Sequence, residues 1–430
     1  MDTTSTTSPT GFVGNLTTEQ EHYLRQLWAL VLQTFDATAT ANQEKDANAS
    51  PASPLSATEL RSSWLHMTKH ENPDALLLRF LRARGWDPAL AHDMLVCALQ
   101  WRTREQRVDE EIIPKGEPWC AAKLLLTESG QADEKRAARE FLDQLRCGKV
   151  YVRGRDRKGR PVGYLHLALH RPGAQSERTV ERLVVHTIET ARCLFEPGAE
   201  AFCLVMDLTG FGLANMEWSA ARFIIRNFQA NYPEFLGTLI FHNAPWIFSG
   251  IWSVIRGLLD PVVASKVHFT KDVEELEQWI PRGNIVKRIG GADDWSYEYK
   301  EPSVEEDACM AHSDVREKIM AERQEIVDEL LDATREWLKH TDANEPEQVA
   351  AQQEIRKEAI KKLRANYWKL DPYVRSRTLL DRTGVINLGG VINPYPDRKT
   401  SKAKVSHREL VAMDQQRLGM RSQEEISVVS

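Results

Sequence analysis

At 430 residues the chain is long enough for more than one folded unit, and its 42% hydrophobic and 27% charged content is that of a globular protein. A net charge of −6 argues against general nucleic-acid binding, which draws on a surplus of Lys and Arg. The six cysteines are scattered with no C-x-x-C pair, which argues against a zinc site or disulfide framework and fits reduced thiols; no metal and no cofactor is expected.

The opening MDTTSTTSPTGF lacks the basic start and apolar run of a signal peptide, and residues 1–18 read as disordered. Residues 19–35 predict a helix with Leu24, Leu27, Trp28, Val31 and Leu32 on one face, followed by a polar linker over 36–55. Ser56-x-x-Glu59 is a capping box, and Asn72-Pro73 and Asp87-Pro88 each place Pro just after an N-cap. Residues 56–145 therefore read as a small all-helical unit.

From Gly148 the pattern changes. Strands are expected at 160–169, 201–208, 236–242 and 266–269, with helices between them: one capped by Ser176, one at 216–228 and one at 246–259. Such alternation implies an α/β unit with a mostly parallel sheet over 146–300. Residues 301–430 return to helix and end in a polar tail, and 315–338 carries Ile319, Ile326, Leu330 and Trp337 on one stripe, as on a surface helix. Residues 1–55 complete the division as a disordered start, helix and linker. The most apolar long window, 239–255, is interrupted by His242, Asn243 and Pro245, too polar to span a bilayer. Any membrane contact is then peripheral and transient, and the expected location is the cytoplasm.

The motifs of covalent chemistry are missing. There is no G-x-S-x-G elbow, no H-E-x-x-H pair and no P-loop, and none of the 12 His has a spacing that demands catalysis or metal binding. An enzyme is not expected.

Seven short motifs appear in order: LLLRFLRARGWD (76–87), DRKGRPV (156–162), MDLTG (206–210), YPE (232–234), NAP (243–245), LDPVVASK (259–266) and IGG (289–291). Together they resemble the CRAL-TRIO lipid-transfer family over residues 56–300, and within it the fungal phosphatidylinositol transfer proteins. NYWKLDPYVRSRTLLD (366–381) resembles a subgroup with helices beyond the lipid domain. The resemblance implies a CRAL-TRIO lipid-binding fold: a sheet-floored apolar pocket, a gating helix and a preceding helical domain. It implies phosphatidylinositol or a similar lipid as ligand, carried between membranes or presented to a lipid-modifying enzyme partner.

The same resemblance sets Arg84, Glu234 and Lys266 at headgroup-contacting positions. Their chemistry suits a phosphoinositol headgroup. Arg84 offers a fork of N–H donors to phosphate, Lys266 a compact ammonium, and Glu234 an acceptor for sugar hydroxyls. Surface ion pairing is the plainer reading of the same residues. The run after Pro245 reads either as a buried helix or as a gate, with Trp246, Phe248, Ile251, Trp252 and Ile255 meeting acyl chains or the membrane interface. Arg153, Arg155, Arg157, Lys158 and Arg160 surround a predicted hairpin turn, either a solvated turn or a contact for anionic bilayers. Lys357, Lys361, Lys362 and Arg364 pose the same choice.

Some positions depart from the family pattern. Val263 stands where phosphatidylinositol binders offer a hydroxyl, and Phe202, Leu204 and Gly163 replace polar residues of phosphatidylcholine-exchanging relatives. A single-phospholipid carrier is expected, without phosphatidylcholine recognition. Two alternatives stay open: a lipid-gated adaptor docking a partner through its C-terminal helices, and a carrier of another apolar ligand such as a sterol precursor.

Overall fold

Polar caps start the first helices where the sequence places them. The computed structural model describes residues 10–37, 53–126 and 132–398; the expectations for residues 1–9, the linker at 38–52 and the tail beyond 398 lie outside the described residues. Thr17 and Gln20 form a capping box at α1 (Thr18–Asp36), and Ser56 and Glu59 form another at α2 (Ala57–Thr68). Asn72 and Asp87 cap α3 (Pro73–Ala83) and α4 (Pro88–Gln100), each with Pro in the first turn. The expected disorder does not extend to residues 10–17. Phe12 bridges to Asn15, and its ring lies 4.2 Å from the Arg82 guanidinium.

Helices α5 (Glu117–Leu125) and α6 (Ala132–Arg146) lead into the α/β unit. Its five strands are β1 (Val150–Arg155), β2 (Pro161–His166), β3 (Phe202–Asp207), β4 (Leu236–His242) and β5 (Val267–Thr270), paired in that order. The β1–β2 hairpin is antiparallel and the remaining pairs are parallel. Helices α7 (Glu177–Arg192), α8 (Trp218–Ala230), α9 (Phe248–Arg256) and α10 (Pro261–Ser265) alternate with these strands, and α11 (Val273–Leu276) is a single turn. The strand expected over 160–169 stops at His166 and becomes a 3-10 turn, Leu167–Leu169.

The long helices α12 (Ser313–Asp342) and α13 (Pro346–Val374) do more than cover a surface. Leu330, Leu331, Trp337 and Leu363 enter one core with Leu27, Trp28, Trp64, Leu77 and Leu81. All five apolar residues expected on α1 are buried there. Among the described residues, no helix is long and apolar enough to cross a membrane.

A buried ionic lattice joins the helical unit to α7. Glu71, in the loop between α2 and α3, pairs with Arg79 and with Arg192 (2.6 Å). Glu189 pairs with Lys69 (2.6 Å) and Arg102 (2.7 Å) and accepts a hydrogen bond from the Tyr232 hydroxyl (2.9 Å). Burial alone would raise the Glu71 carboxyl, yet Arg79 and Arg192 bring it down to about 2 from an ordinary 4.5. Burial holds the imidazoles of His70 and His186 down at about 4 and about 3, against an ordinary 6.5.

For each of these groups the unfolded chain takes up a proton at a pH where the folded chain still refuses it. Stability is therefore lost as pH falls, through the window from 6.5 to about 3 for the histidines and from 4.5 to about 2 for Glu71. Urea titrations at a series of pH values should show the decline beginning in the histidine range. A profile flat down to the carboxylate range would contradict two buried neutral imidazoles. At neutral pH, Glu189→Leu should cost about 3–5 kcal/mol, because it strips Lys69 of its partner in a buried site.

Candidate functional site: an apolar hollow with a charged rim

Strand alternation decides which side chains face the hollow. Along β3, Phe202, Leu204 and Met206 line a cavity of about 260 Å³, while Cys203 and Val205 pack into the core behind the sheet. Gly163 and Leu165 of β2 and Leu239 and Phe241 of β4 extend the same face. Across from this floor, α7 contributes Val180, Leu183, Val184 and Ile188, and α8 contributes Ala221, Ile224, Ile225 and Phe228. Hydrocarbon placed against such walls gains about 0.8 kcal/mol per buried CH₂.

Glu234 and Lys266 come together at the amino-terminal edge of the parallel strands. Glu234 precedes β4 with φ +58°, a left-handed conformation that a non-glycine residue seldom adopts. Lys266 follows α10 and precedes β5. Its Nζ lies 2.7 Å from Glu234 Oε1, and both side chains are partly buried. The nearby arginine is Arg82, whose Nε is 3.7 Å from Glu234 Oε2 and buried with no hydrogen-bond partner among the described residues. Its Nη1 donates to the Gly11 carbonyl at 2.6 Å.

Arg84 does not join this group. It is the exposed cap residue after α3. Two residues along a helix turn a side chain by about 200°, so when Arg82 faces Glu234 its neighbour at 84 points away. The usable signal was phase: Arg79 and Arg82, three apart, share a face and both turn inward.

The departures at Gly163, Phe202 and Leu204 form one apolar patch. Gly163 pairs with Leu204 across β2 and β3, and a Cβ at 163 would sit 2.4 Å from the Phe202 ring. Phe202 stacks on Phe235 with centroids 5.6 Å apart. The aromatic ring fills the space that a side chain at 163 would take. Val263 lines the cavity at the end nearer Lys266.

The helix after Pro245 is shorter than the sequence pattern. Helix α9 begins at Phe248, because Trp246 and Ile247 belong to the turn closed by Phe248 N–H to Pro245 O. Trp246 is accordingly 87% exposed and is not among the residues that line this cavity, which leaves the interface side of its expected role. Phe248 and Ile255 line the cavity. Ile251 is buried beside them in the same cluster, and Trp252 packs edge-on to Phe241 and Phe269. Val254 and Leu258 face outward.

The basic clusters are largely engaged within the chain. Arg153 is buried between Asp293 (2.8 Å) and Asp397, Arg155 pairs with Glu196, Arg160 binds Asp156 and Thr238, and Arg157 donates to the Glu277 carbonyl. That leaves Arg157 and Lys158 as the exposed cations of the hairpin. Lys357, Lys361 and Lys362 pair with Glu354, Glu358 and Glu329.

Comparison with known proteins finds family models and relatives that match much of the chain. The CRAL/TRIO domain model matches residues 145–291, and the CRAL/TRIO N-terminal domain model matches residues 24–96. CRAL-TRIO domain-containing protein C3H8.02 of Schizosaccharomyces pombe is 38% identical over 327 residues, 76% of this chain and 69% of that protein. Phosphatidylinositol transfer protein CSR1 of Eremothecium gossypii is 34% identical over 335 residues, 78% of this chain and 73% of that protein. The Sec14 cytosolic factor of Schizosaccharomyces pombe is 29% identical over 229 residues, 51% of this chain and 74% of that protein.

The Phe202 ring and the bare backbone at 163 are expected to be coupled. Gly163→Ala should destabilise by about 1–3 kcal/mol through overpacking, and this cost should vanish in a Phe202→Ala background. A double-mutant cycle by urea denaturation checks it; additive effects would mean that the ring does not limit residue 163.

Proposed function

Because the chain belongs to the CRAL-TRIO family, we propose that it binds a single phospholipid, phosphatidylinositol, and transfers it between membranes or presents it to lipid-modifying enzymes. The acyl chains occupy the hollow between the sheet and helices α7 to α9. The headgroup sits at the rim, where Lys266 and Arg82 face the phosphate and Glu234 accepts from inositol hydroxyls. Arg84 has no part in this arrangement.

The observation that carries the reading is the rim itself. A carboxylate and an ammonium meet next to Phe235 and Leu236, which line the apolar cavity, and the Arg82 Nε beside them is a buried donor without a hydrogen-bond partner among the described residues. A buried donor left unpaired is costly, and a phosphate oxygen would satisfy it. Phosphate also needs cations, because an uncompensated buried charge costs several kcal/mol. The name of the relative from Eremothecium gossypii points to the same lipid class.

Loading and release require the wall at α9 to move. Trp246, Val254, Leu258 and Val262 are exposed on or next to this wall. Placed at a bilayer interface, this edge would bury apolar surface where Trp is favoured. Gly250 lowers the helical stability of α9 by up to about 1 kcal/mol, and Gly257 ends the helix as its C-cap. Contact with the membrane is then transient, from the cytoplasm. The adaptor alternative asks α12 and α13 to dock a partner, whereas their apolar faces are buried against α1 to α4 of the same chain, which favours the carrier.

Purified protein is expected to retain phosphatidylinositol and move it between liposomes, and Lys266→Ala combined with Glu234→Ala should abolish the transfer. Equal transfer by a folded double variant would remove the site assignment. Phosphatidylcholine transfer should be weak in the same assay, given Phe202 and Leu204; efficient exchange would overturn the single-lipid reading. Trp246→Ala should slow transfer while the lipid retained by the protein stays the same, read by mass spectrometry of the extract.

A further inference from the structure

A second cavity, of about 500 Å³, lies outside the lipid hollow, between the lipid domain and the C-terminal extension. The two share Val150, Tyr151, Val152 and Thr187 and otherwise have different walls. Four consecutive residues of β1, Val150 to Arg153, line the second one. Successive side chains of a strand point to opposite faces of the sheet, so a cavity that touches all four runs along the strand's open edge. Helix α7 walls it on one side, Trp295 and Tyr297 on the other, and Leu379, Leu380 and Pro396 of the extension cover it.

The backbone of this edge is unpaired. Strand β1 has β2 as its one neighbour in the sheet. His166 N–H donates to the Lys149 carbonyl at 2.8 Å, and in the same register Tyr151 faces Tyr164. An antiparallel ladder bonds every second residue, so Lys149 and Tyr151 turn toward β2 while Val150 and Val152 turn away. Each of these valines presents an N–H and a C=O to the cavity side, with no hydrogen-bond partner among the described residues. Backbone donors and acceptors left without partners are uncommon in native proteins. Tyr395 takes the Arg155 N–H at one end (3.0 Å), and Tyr297 closes the other, donating to the Leu145 carbonyl at 2.6 Å. What stays open is two residues long, about 7 Å, which is too short to take an added strand.

The remaining lining sets the charge of what can enter. Glu117 is paired with Arg382, and Arg153 with Asp293 and Asp397. His186 is only 6% exposed, and burial keeps its ring neutral. The ring has no hydrogen bond among the described residues; its Nε2 stands 4.0 Å from Glu117 Oε1. The hydroxyls of Thr187 and Thr190, beside it on α7, are likewise without hydrogen bonds among the described residues. Unused donors and acceptors therefore face each other across the cavity, while its buried ions are already matched.

We propose that this cavity binds a small, uncharged, planar heterocycle of the nucleobase kind, in which an N–H donor stands beside a carbonyl or ring-nitrogen acceptor. That adjacent pair meets the C=O and N–H of one outward valine, Val150 or Val152. Trp295 and Tyr297 supply aromatic surface, and polar atoms on the far edge of the ligand reach Thr187, Thr190 and His186. A lipid tail would leave all of these groups unpaired. A charged ligand would enter without a counter-ion, which is costly in a buried site. The site does not depend on the phosphatidylinositol reading.

Calorimetric titration of the full-length protein with 2-aminoquinazoline tests this. The compound carries an amino donor next to a ring-nitrogen acceptor, and 2-methylquinazoline has the same shape without the donor. The wild type should bind the amino compound about threefold to tenfold more tightly, the effect of one hydrogen bond. Proline on an edge strand removes an outward N–H and leaves the ladder intact, so either Val150→Pro or Val152→Pro should weaken both compounds by about the same factor. Thr190 lines this cavity and not the lipid hollow, and a folded Thr190→Trp should abolish binding. Three wild-type results would each overturn the proposal without any variant: no binding, which means a site for water only; equal affinity for the two quinazolines; or tighter binding of N-acetylvaline methylamide, a mimic of a peptide edge. Binding that persists unchanged in the folded variants would overturn it as well.

Discussion

A protein that keeps a hollow gives up the packing that would otherwise hold its interior, so its walls need fixing from behind. Helix α7 shows how this is done. One face, with Val180, Leu183, Val184 and Ile188, borders the cavity, and the other carries Glu189 and Arg192 into the buried lattice of Lys69, Glu71, Arg79 and Arg102. A buried ion pair adds little net stability over a well-packed apolar pair, but separating its members is expensive. That asymmetry suits a wall that must stay in place through loading and release. The contrast with α9 is physical: its inner face is apolar, its outer face is exposed, and Gly250 sits in its first turn.

The C-terminal segment extends the same bracing. After α13, Arg375 and Arg377 are buried with Asp371 and Asp381, and Arg382 pairs with Glu117 of α5. Trp368 lies against Gly390, where a Cβ would come within 2.2 Å of the indole and the backbone sits at φ +77°, so glycine is required. Tyr395 then reaches the edge strand β1, its hydroxyl accepting from Arg155 N–H at 3.0 Å, and Asp397 binds Arg153. An exposed strand edge invites unwanted pairing, and this segment occupies its Arg153–Arg155 end. The extension thus belongs to the architecture that shapes the lipid domain, and Arg153 and Arg155 of the hairpin anchor it.

The two ends of the lipid hollow differ in kind. At the rim, Glu234, Lys266 and Arg82 are partly buried and carry formal charge. At the inner end, Lys149, His170 and Glu217 form one hydrogen-bonded chain in which the charges are already balanced.

Local chemistry made the helix starts and strand positions readable from sequence: a cap residue, a proline or an apolar alternation acts within a few residues, and strand β4 falls where the pattern put it. The ordered motifs placed Glu234 and Lys266 on successive strand entries, close enough to meet. Tertiary structure decided what depends on phase and on distant partners. It set Arg82 inward and Arg84 outward, and it put Trp246 in a turn ahead of α9. It joined α1 to α12 and α13 in one core, and it paired Arg153 with Asp293 and Asp397 from far along the chain. Periodicity can say that a residue is apolar or charged, but which surface it meets is fixed only when separate segments pack.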